Sequence, residues 1–489
     1  MKFLKYVIFT ILILLIFMQG FIVQIPGARL AWAFVAVLAF LLLFFFIRPK
    51  LSFYTIKKIY RYSAYKYLVT FFIWIFFCGI VFIFLGKISA GKMLYFLIRF
   101  MIISSAFIIF PVFLNKFISL RSMIKIIICV LYIAIGFGLF QYIGELFKIS
   151  VFREIINFFS NYKFGIDLNS MTDIVSGKVR IRGFFHEPQG LSMYLCFMLP
   201  MMYSIVKNNI RVFKSNIINK LIKYLTVPLM WFLIVLARSP IYLIFSIITT
   251  VVFWYNEIHN IISRLPIIKY AVLCFITLIF MLTFTNLDLL IEIVEKSFLA
   301  RIVNAFTIFK DFDEFVFKEG SLAVRIVYQI NQFFLFIQKP VTGYGLYCSK
   351  FYMYDQLLNS PVTIPYEIRE AMAVNGGTSV GVGGSAGSLF SVLLVETGIV
   401  GLILYYLFLI KNILFIKKIK IHYRGLEYCF LNGLLYIFIM NLLFSLYNNS
   451  FENQYLFFLY GISSLLGVHI HTGKTINTTK ENNYDNKTN

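Results

Sequence analysis

Charge is scarce in this sequence: 13% of its residues are Asp, Glu, Lys or Arg, and acidic residues number 21 against 45 basic ones. A water-soluble chain of 489 residues would divide into a few domains with polar surfaces, and no stretch here supplies such a surface. Cysteine is sparse as well. Of the six, Cys78, Cys129, Cys196, Cys274 and Cys429 fall within apolar runs and Cys348 stands alone in a long connection, so neither a metal-type spacing nor an intrachain disulfide is expected.

What the sequence has in excess is apolar surface. Hydrophobic residues make up 60% of the chain, the mean hydropathy is +0.85, and runs of membrane-spanning length recur from end to end. Length, low charge and flanking turns mark runs at 6–24, 29–47, 67–86, 93–114, 123–143, 189–206, 224–237, 240–256, 267–285, 388–410, 427–446 and 452–470. The expected fold is an all-α polytopic membrane protein with about 12 transmembrane helices. The seventh and eighth runs are short and separated only by Arg238 and Ser239.

Lys and Arg set the expected orientation. With the N-terminus inside, the short cytoplasmic connections hold Arg48 to Lys66, then Lys116 and Arg121, then Lys207 to Lys223, then Lys411 to Arg424. One miscounted span would move the later clusters to the other side, so an even count with both termini cytoplasmic is expected. The formal charge of +24 is thereby mostly topology. Its spread over short loops fits attraction to anionic lipid headgroups, and nucleic acid is not an expected partner.

The start, Met1-Lys2-Phe3-Leu4-Lys5, runs into a long apolar stretch without a small-x-small cleavage site and reads as a retained signal-anchor. From His471 the composition turns to Asn, Thr and Lys. The expected organisation is one transmembrane domain over 1–470 and a disordered cytoplasmic tail over 471–489. Two outer loops, 144–188 and 286–387, exceed the usual length of a connection and are the expected seat of function.

The first loop ends in Arg180 to Gly190, RIRGFFHEPQG, a concentration of charge at the edge of a span. Glu187 precedes Pro188, which favours an extended or turn geometry. A carboxylate beside an apolar boundary tends to a raised pKa, as a general base requires. A salt bridge to Arg180 or Arg182 is the plainer alternative. Arg238 reaches the same outer surface from the turn between spans seven and eight, and an arginine fork suits phosphate oxygens. Any one arginine there would be expected to snorkel to headgroups; three beside one glutamate point to a phosphate site.

The second loop opens with an amphipathic stretch from Asp288 to Ile308, suited to an interfacial helix. Arg325 follows, flanked by apolar residues in GSLAVRIVYQINQFFLFIQKPVTGYG, and is costly unless it meets an anion. It is a second candidate anion contact. Asp311-Phe312-Asp313 has the form of a metal-diphosphate motif but sits in a charged run, where a solvated helix end is the better reading. GGTSVGVGGSAG at 376–387 lacks the strand that a phosphate loop follows and reads as a hinge or lid. His186 is the one histidine placed outside, too isolated for a metal site and better suited to ordinary hydrogen bonding.

Taken in order, the arginine-rich stretch ending in Glu187-Pro188, LARSP at 236–240, GSLAVR followed by KPVTGYG, and VETGIVG at 395–401 resemble the O-antigen polymerase (Wzy-type) and O-antigen ligase superfamily. The resemblance covers the whole topology. It implies a GT-C-type membrane glycosyltransferase of the bacterial inner membrane, metal-independent and without cofactor. Its partners would be undecaprenyl diphosphate-linked glycan donor and acceptor, membrane lipid and a chain-length regulator. Glu187 would be the base, Arg180, Arg182, Arg238 and Arg325 would bind the diphosphate, and His186 and Tyr344 are candidate substrate contacts. Ligases of this superfamily carry a His-Asn pair where this chain has Gly387-Ser388, so the polymerase branch fits better than the ligase. A flippase would need charged positions along a central path, and Arg99 is the residue that stands out within a predicted span.

Overall fold

The computed structural model describes residues 22–25, 28–31, 57–84, 118–149, 180–183, 185, 188–257, 259, 311–318, 320–346, 348–366, 368, 369, 372, 388–446 and 454–471, with isolated positions at 100, 104, 108, 111 and 115. The predicted span at 267–285, the amphipathic stretch 288–308, the glycine-rich segment 376–387, Arg99, Cys274 and most of the tail lie outside the described residues. So do His186 and Glu187.

Near the N-terminus, β1 (Ile22–Ile25) and β2 (Ala28–Ala31) pair antiparallel, Ile22 opposite Ala31 and Ile25 opposite Ala28. This hairpin takes in the end of the first predicted span, the connection and the start of the second, so strand stands at 22–24 and 29–31 where helix was expected. Every other regular element described is helical: α1 (Tyr65–Phe84), α2 (Leu120–Leu146), α3 (Pro188–Lys207), α4 (Asn216–Tyr224), α5 (Thr226–Leu236), α6 (Pro240–Phe253), α7 (Phe312–Lys318), α8 (Gly320–Gln338), α9 (Ser349–Leu358), α10 (Leu389–Ile419), α11 (Gly425–Phe444) and α12 (Gln454–His471), besides a single 3₁₀ turn at Lys420–His422.

Among the described residues, five of these helices are long and apolar enough to cross a bilayer, six if α4 and α5 form one bent span. α1 shows how such a helix divides its surface. Leu68, Phe71, Phe72, Ile75, Cys78, Gly79 and Phe82 are buried, while Ile73, Phe76, Phe77, Ile80 and Phe84 are exposed along the opposite stripe. An apolar stripe of that length facing outward suits lipid and would be a liability in water.

α3 is the hub. It packs against α11, α6, α5 and α2, and nearly its whole circumference is buried. The α3–α11 contact is close because Gly433 lies against the backbone of Met201; a Cβ there would come within 2.5 Å of the Met201 Cα. Small residues at crossings let membrane helices approach, where lipid removes the usual hydrophobic drive. α10 forms a second centre, packed on α1, α8, α11 and α12.

Side-chain contacts sort the helix ends into two sets. At one end, Lys411 lies over the Tyr67 ring at 5.9 Å, Lys420 donates to Asn432 at 3.1 Å, Asn432 donates to Ser204 at 3.3 Å, and Lys207 pairs with Glu257. Three basic clusters predicted to share one side are thereby gathered at one end of the bundle. At the other end stand Arg180, Arg238, Arg325 and the start of α3.

Candidate functional site

The segment Arg180 to Gly183 lies outside any helix or strand and must find partners for its backbone beyond a ladder. Ile181 N–H donates to the Leu236 carbonyl at 3.2 Å, and Arg180 Nε donates to the Ala237 carbonyl at 3.2 Å. Gln141, buried in α2, supplies the rest: its Oε1 accepts from the N–H groups of Arg182 and Gly183, both at 2.9 Å. Gly183 adopts φ +55° and rests on Gly138; a Cβ at Gly183 would stand 3.4 Å from the Gly138 nitrogen. Two glycines and one amide therefore set the height of this segment over α2.

Arg182 is 2% exposed. Burial lowers its guanidinium to about 10, which leaves it charged at neutral pH. Arg238 holds φ +48° at the end of α5, its N–H donating to the Val235 carbonyl at 3.0 Å. That left-handed residue closes α5, and Pro240 at the first turn of α6 fixes the new direction. LARSP is thus a helix stop, a turn and a helix start.

Arg325 projects from α8 and its Nη2 donates to Gln189 Oε1 at 3.4 Å. Gln189 is the second residue of α3, so Arg325 reaches the mouth of the hub helix. No acidic residue occupies the first turn of α3, and the free backbone N–H groups of a helix start favour an anion. On either side of Glu187 and His186, Phe185 and Pro188 are buried. Arg180 and Arg238 therefore flank Ala237, the buried Arg182 lies two residues along the same segment, and Arg325 stands at the start of α3.

Tyr344 belongs to a different construction. α10 is interrupted at Gly398, which holds φ +67° and ψ −176°, leaving the carbonyls before it without helical donors. The KPVTGYG segment, entering from the second long loop, meets the break: Tyr344 N–H donates to the Val395 carbonyl at 2.7 Å, Gly345 N–H to Glu396 at 2.8 Å, and Ile399 N–H to Pro340 at 2.8 Å. From the other side Trp74 Nε1 donates to the Thr397 carbonyl at 2.9 Å. Broken backbone at this depth is tolerated where protein covers it. The Tyr344 hydroxyl donates to Gln338 at 2.7 Å, and Lys339 lies over the Tyr344 ring at 4.6 Å. The buried Glu396 accepts from Ser349 Oγ at 2.7 Å. Burial of Tyr344 pushes its phenol above the ordinary range.

The Asp311 carboxylate accepts from the N–H groups of Asp313 and Glu314, at 2.8 and 3.2 Å, and so caps α7 as the solvated helix end expected of it. The five described cysteines, Cys78, Cys129, Cys196, Cys348 and Cys429, are thiols outside any disulfide. Gln141, Gln189 and Trp74 escaped the sequence reading because each acts on a segment far away in the chain. No family model matches this chain, and the search of curated proteins finds no match either.

Proposed function

We propose that this chain is a membrane glycosyltransferase that polymerises undecaprenyl diphosphate-linked oligosaccharide repeat units into a surface polysaccharide, an O-antigen or a capsule. The reaction takes place at the periplasmic face of a bacterial inner membrane, in a GT-C-type fold of about 12 spans with both termini cytoplasmic. The observation that supports this reading is that Arg180 bonds to Ala237 beside Arg238, with Arg182 buried on the same segment, while Arg325 bonds to Gln189 at the start of α3.

In the proposed reaction an acceptor sugar hydroxyl attacks the anomeric carbon of a second lipid-linked glycan. The new glycosidic bond forms as the C–O bond to undecaprenyl diphosphate breaks, and the electron pair leaves with the diphosphate. Glu187 takes the hydroxyl proton. The arginines hold the diphosphate and offset the charge that develops on it, a role for donors fixed before the reaction begins. The lipid diphosphate is itself the activated leaving group, so no nucleotide sugar enters. His186 and Tyr344 are assigned contacts with the glycan.

Ligase activity is the nearest alternative, and Ser388 bears on it. This residue stands where the ligases' His-Asn pair falls, and its hydroxyl accepts from Ser391 N–H as the cap of α10. Chromosomal Glu187→Gln or Arg325→Ala tests the proposal. Lipid-linked single repeats should persist while the long-chain ladder vanishes from the gel; a normal ladder at normal protein levels overturns the assignment. Deletion separates the branches: without a polymerase single repeats still reach the final carrier, and without a ligase none do.

A further inference from the structure

The basic cluster at the far end of the bundle is not absorbed by the proposed reaction, and the structure builds a cavity there. Between the last turn of α3, the loop that follows it and α4 lies a pocket of about 380 Å³. Its lining includes Arg211, Lys220 and Lys223 together with Asn209 and Asn216, over a floor that includes the buried Ile222, and no carboxylate lines it among the described residues.

The pocket is shaped by local hydrogen bonds. Asn209 takes φ +50° after α3, and Ile210 N–H returns to the Ile205 carbonyl at 3.1 Å, turning the chain sharply. Asn219 then ties the loop to α4: its Oδ1 accepts from the N–H groups of Val212 and Phe213, both at 3.0 Å, and its Nδ2 donates to the carbonyls of Phe213 and Ser215 at 2.6 and 2.9 Å. Ser215 caps α4 by accepting from Ile218 N–H.

α4 divides into two faces at helical spacing. Asn216, Asn219, Lys220 and Lys223 turn to the pocket. Ile217, Ile218 and Leu221 are exposed, as is Leu225 beyond the helix end, with Ile217 73% open; Tyr224, 66% open, also borders the pocket. The axis then bends by 46° into α5. α5 has 11 residues, about 17 Å of helix against roughly 30 Å of hydrocarbon. A short helix at that bend, basic on one face and apolar on another, has the form of one lying at headgroup depth.

We propose that this pocket is a binding site for the phosphate-bearing headgroup of an anionic phospholipid, in the leaflet opposite the arginine cluster. The phosphate sits among Arg211, Lys220 and Lys223, the asparagine amides contact the glycerol oxygens, and the acyl chains lie over Ile217, Leu221 and Leu225. An amphipathic ligand matches a pocket whose rim is cationic and whose outer wall is apolar. A free phosphate would use the first and leave the second bare.

Full-length protein, purified in a neutral detergent, can be titrated with phosphatidylglycerol or phosphatidylcholine of identical acyl chains and read by native mass spectrometry. Phosphatidylglycerol should bind more tightly, and R211Q/K220Q/K223Q should lower its affinity by about a hundredfold, since each basic residue near an anionic surface contributes about fivefold. R211K/K220R/K223R should keep it. I217S/L221S should weaken both lipids alike. The three basic side chains are exposed, so the charge variants should retain the wild-type melting temperature; K220E alone serves as a second variant. Equal phosphatidylglycerol binding by wild type and charge variants, or its displacement by millimolar inorganic phosphate, overturns the proposal.

Discussion

Gly343 and Gly398 face each other across the interruption in α10, each at φ +67°, and a Cβ on Gly343 would stand 2.6 Å from the Gly398 nitrogen. A Cβ on Gly398 would fall 2.0 Å from the Val341 carbonyl oxygen. Two motifs more than fifty residues apart, KPVTGYG and VETGIVG, are therefore halves of one joint.

Alanine at either glycine should break that joint. The positive φ alone costs about 1–3 kcal/mol, and the overlap with backbone adds to it because neither partner can turn aside. Gly398→Ala should lower the melting temperature of the purified protein more than Gly433→Ser, which crowds two helix surfaces without asking for a left-handed backbone. Differential scanning fluorimetry of the two variants measures this.

Trp74→Phe removes one donor from the joint and keeps most of the packing. The Thr397 carbonyl then lacks the bond at 2.9 Å, a loss of about 1–3 kcal/mol for a buried acceptor left unmet. The expected outcome is a lower denaturation midpoint with the polymerisation rate per folded molecule little changed. A midpoint equal to wild type would show that the carbonyl finds another donor.

Gln141→Ala should act on the arginine segment rather than on the fold as a whole. It leaves the N–H groups of Arg182 and Gly183 without the acceptor that both use, about 1–3 kcal/mol for each. Protease cutting within 180–190 should speed up, and activity should fall with it. Gln141→Glu keeps an acceptor in place and should lose less.

Arg238→Ala should lower polymer formation by about tenfold to a hundredfold, the value of one charge-assisted bond to phosphate. Arg238→Lys should recover only part of the loss, since an ammonium lacks the planar fork. Arg182→Lys should do worse than Arg238→Lys, because Arg182 is buried and its replacement strands a smaller cation in the same space. Rates measured on membranes with matched protein levels decide the order.

The turn at Arg238–Ser239 is legible in the sequence, since a charge and Pro240 interrupt an apolar run, and α5 ends at Leu236 as that pattern implies. The membrane character is legible too, from hydropathy alone. The interruption of α10 is not. Glycine is common within membrane helices, and nothing in the local sequence sets Gly398, where the helix breaks, apart from Gly401, where it does not. The same holds for Gln141, an unremarked polar residue of an apolar run whose partners are 41 and 42 positions away. The bend at Leu225 hides behind a smooth change from the amphipathic pattern of α4 to the uniform one of α5, and the second long loop gives no local sign that it dips into the bundle at KPVTGYG.

The most direct test is polymerisation by the purified protein in liposomes, supplied only with a synthetic undecaprenyl diphosphate-linked repeat unit, with EDTA present. Products of two and more repeats should appear with wild type and should be absent with Glu187→Gln and with Arg238→Ala/Arg325→Ala, each confirmed folded by its melting temperature. Wild-type protein that releases no linked repeats, or variants that make as much polymer as wild type, would contradict the assignment.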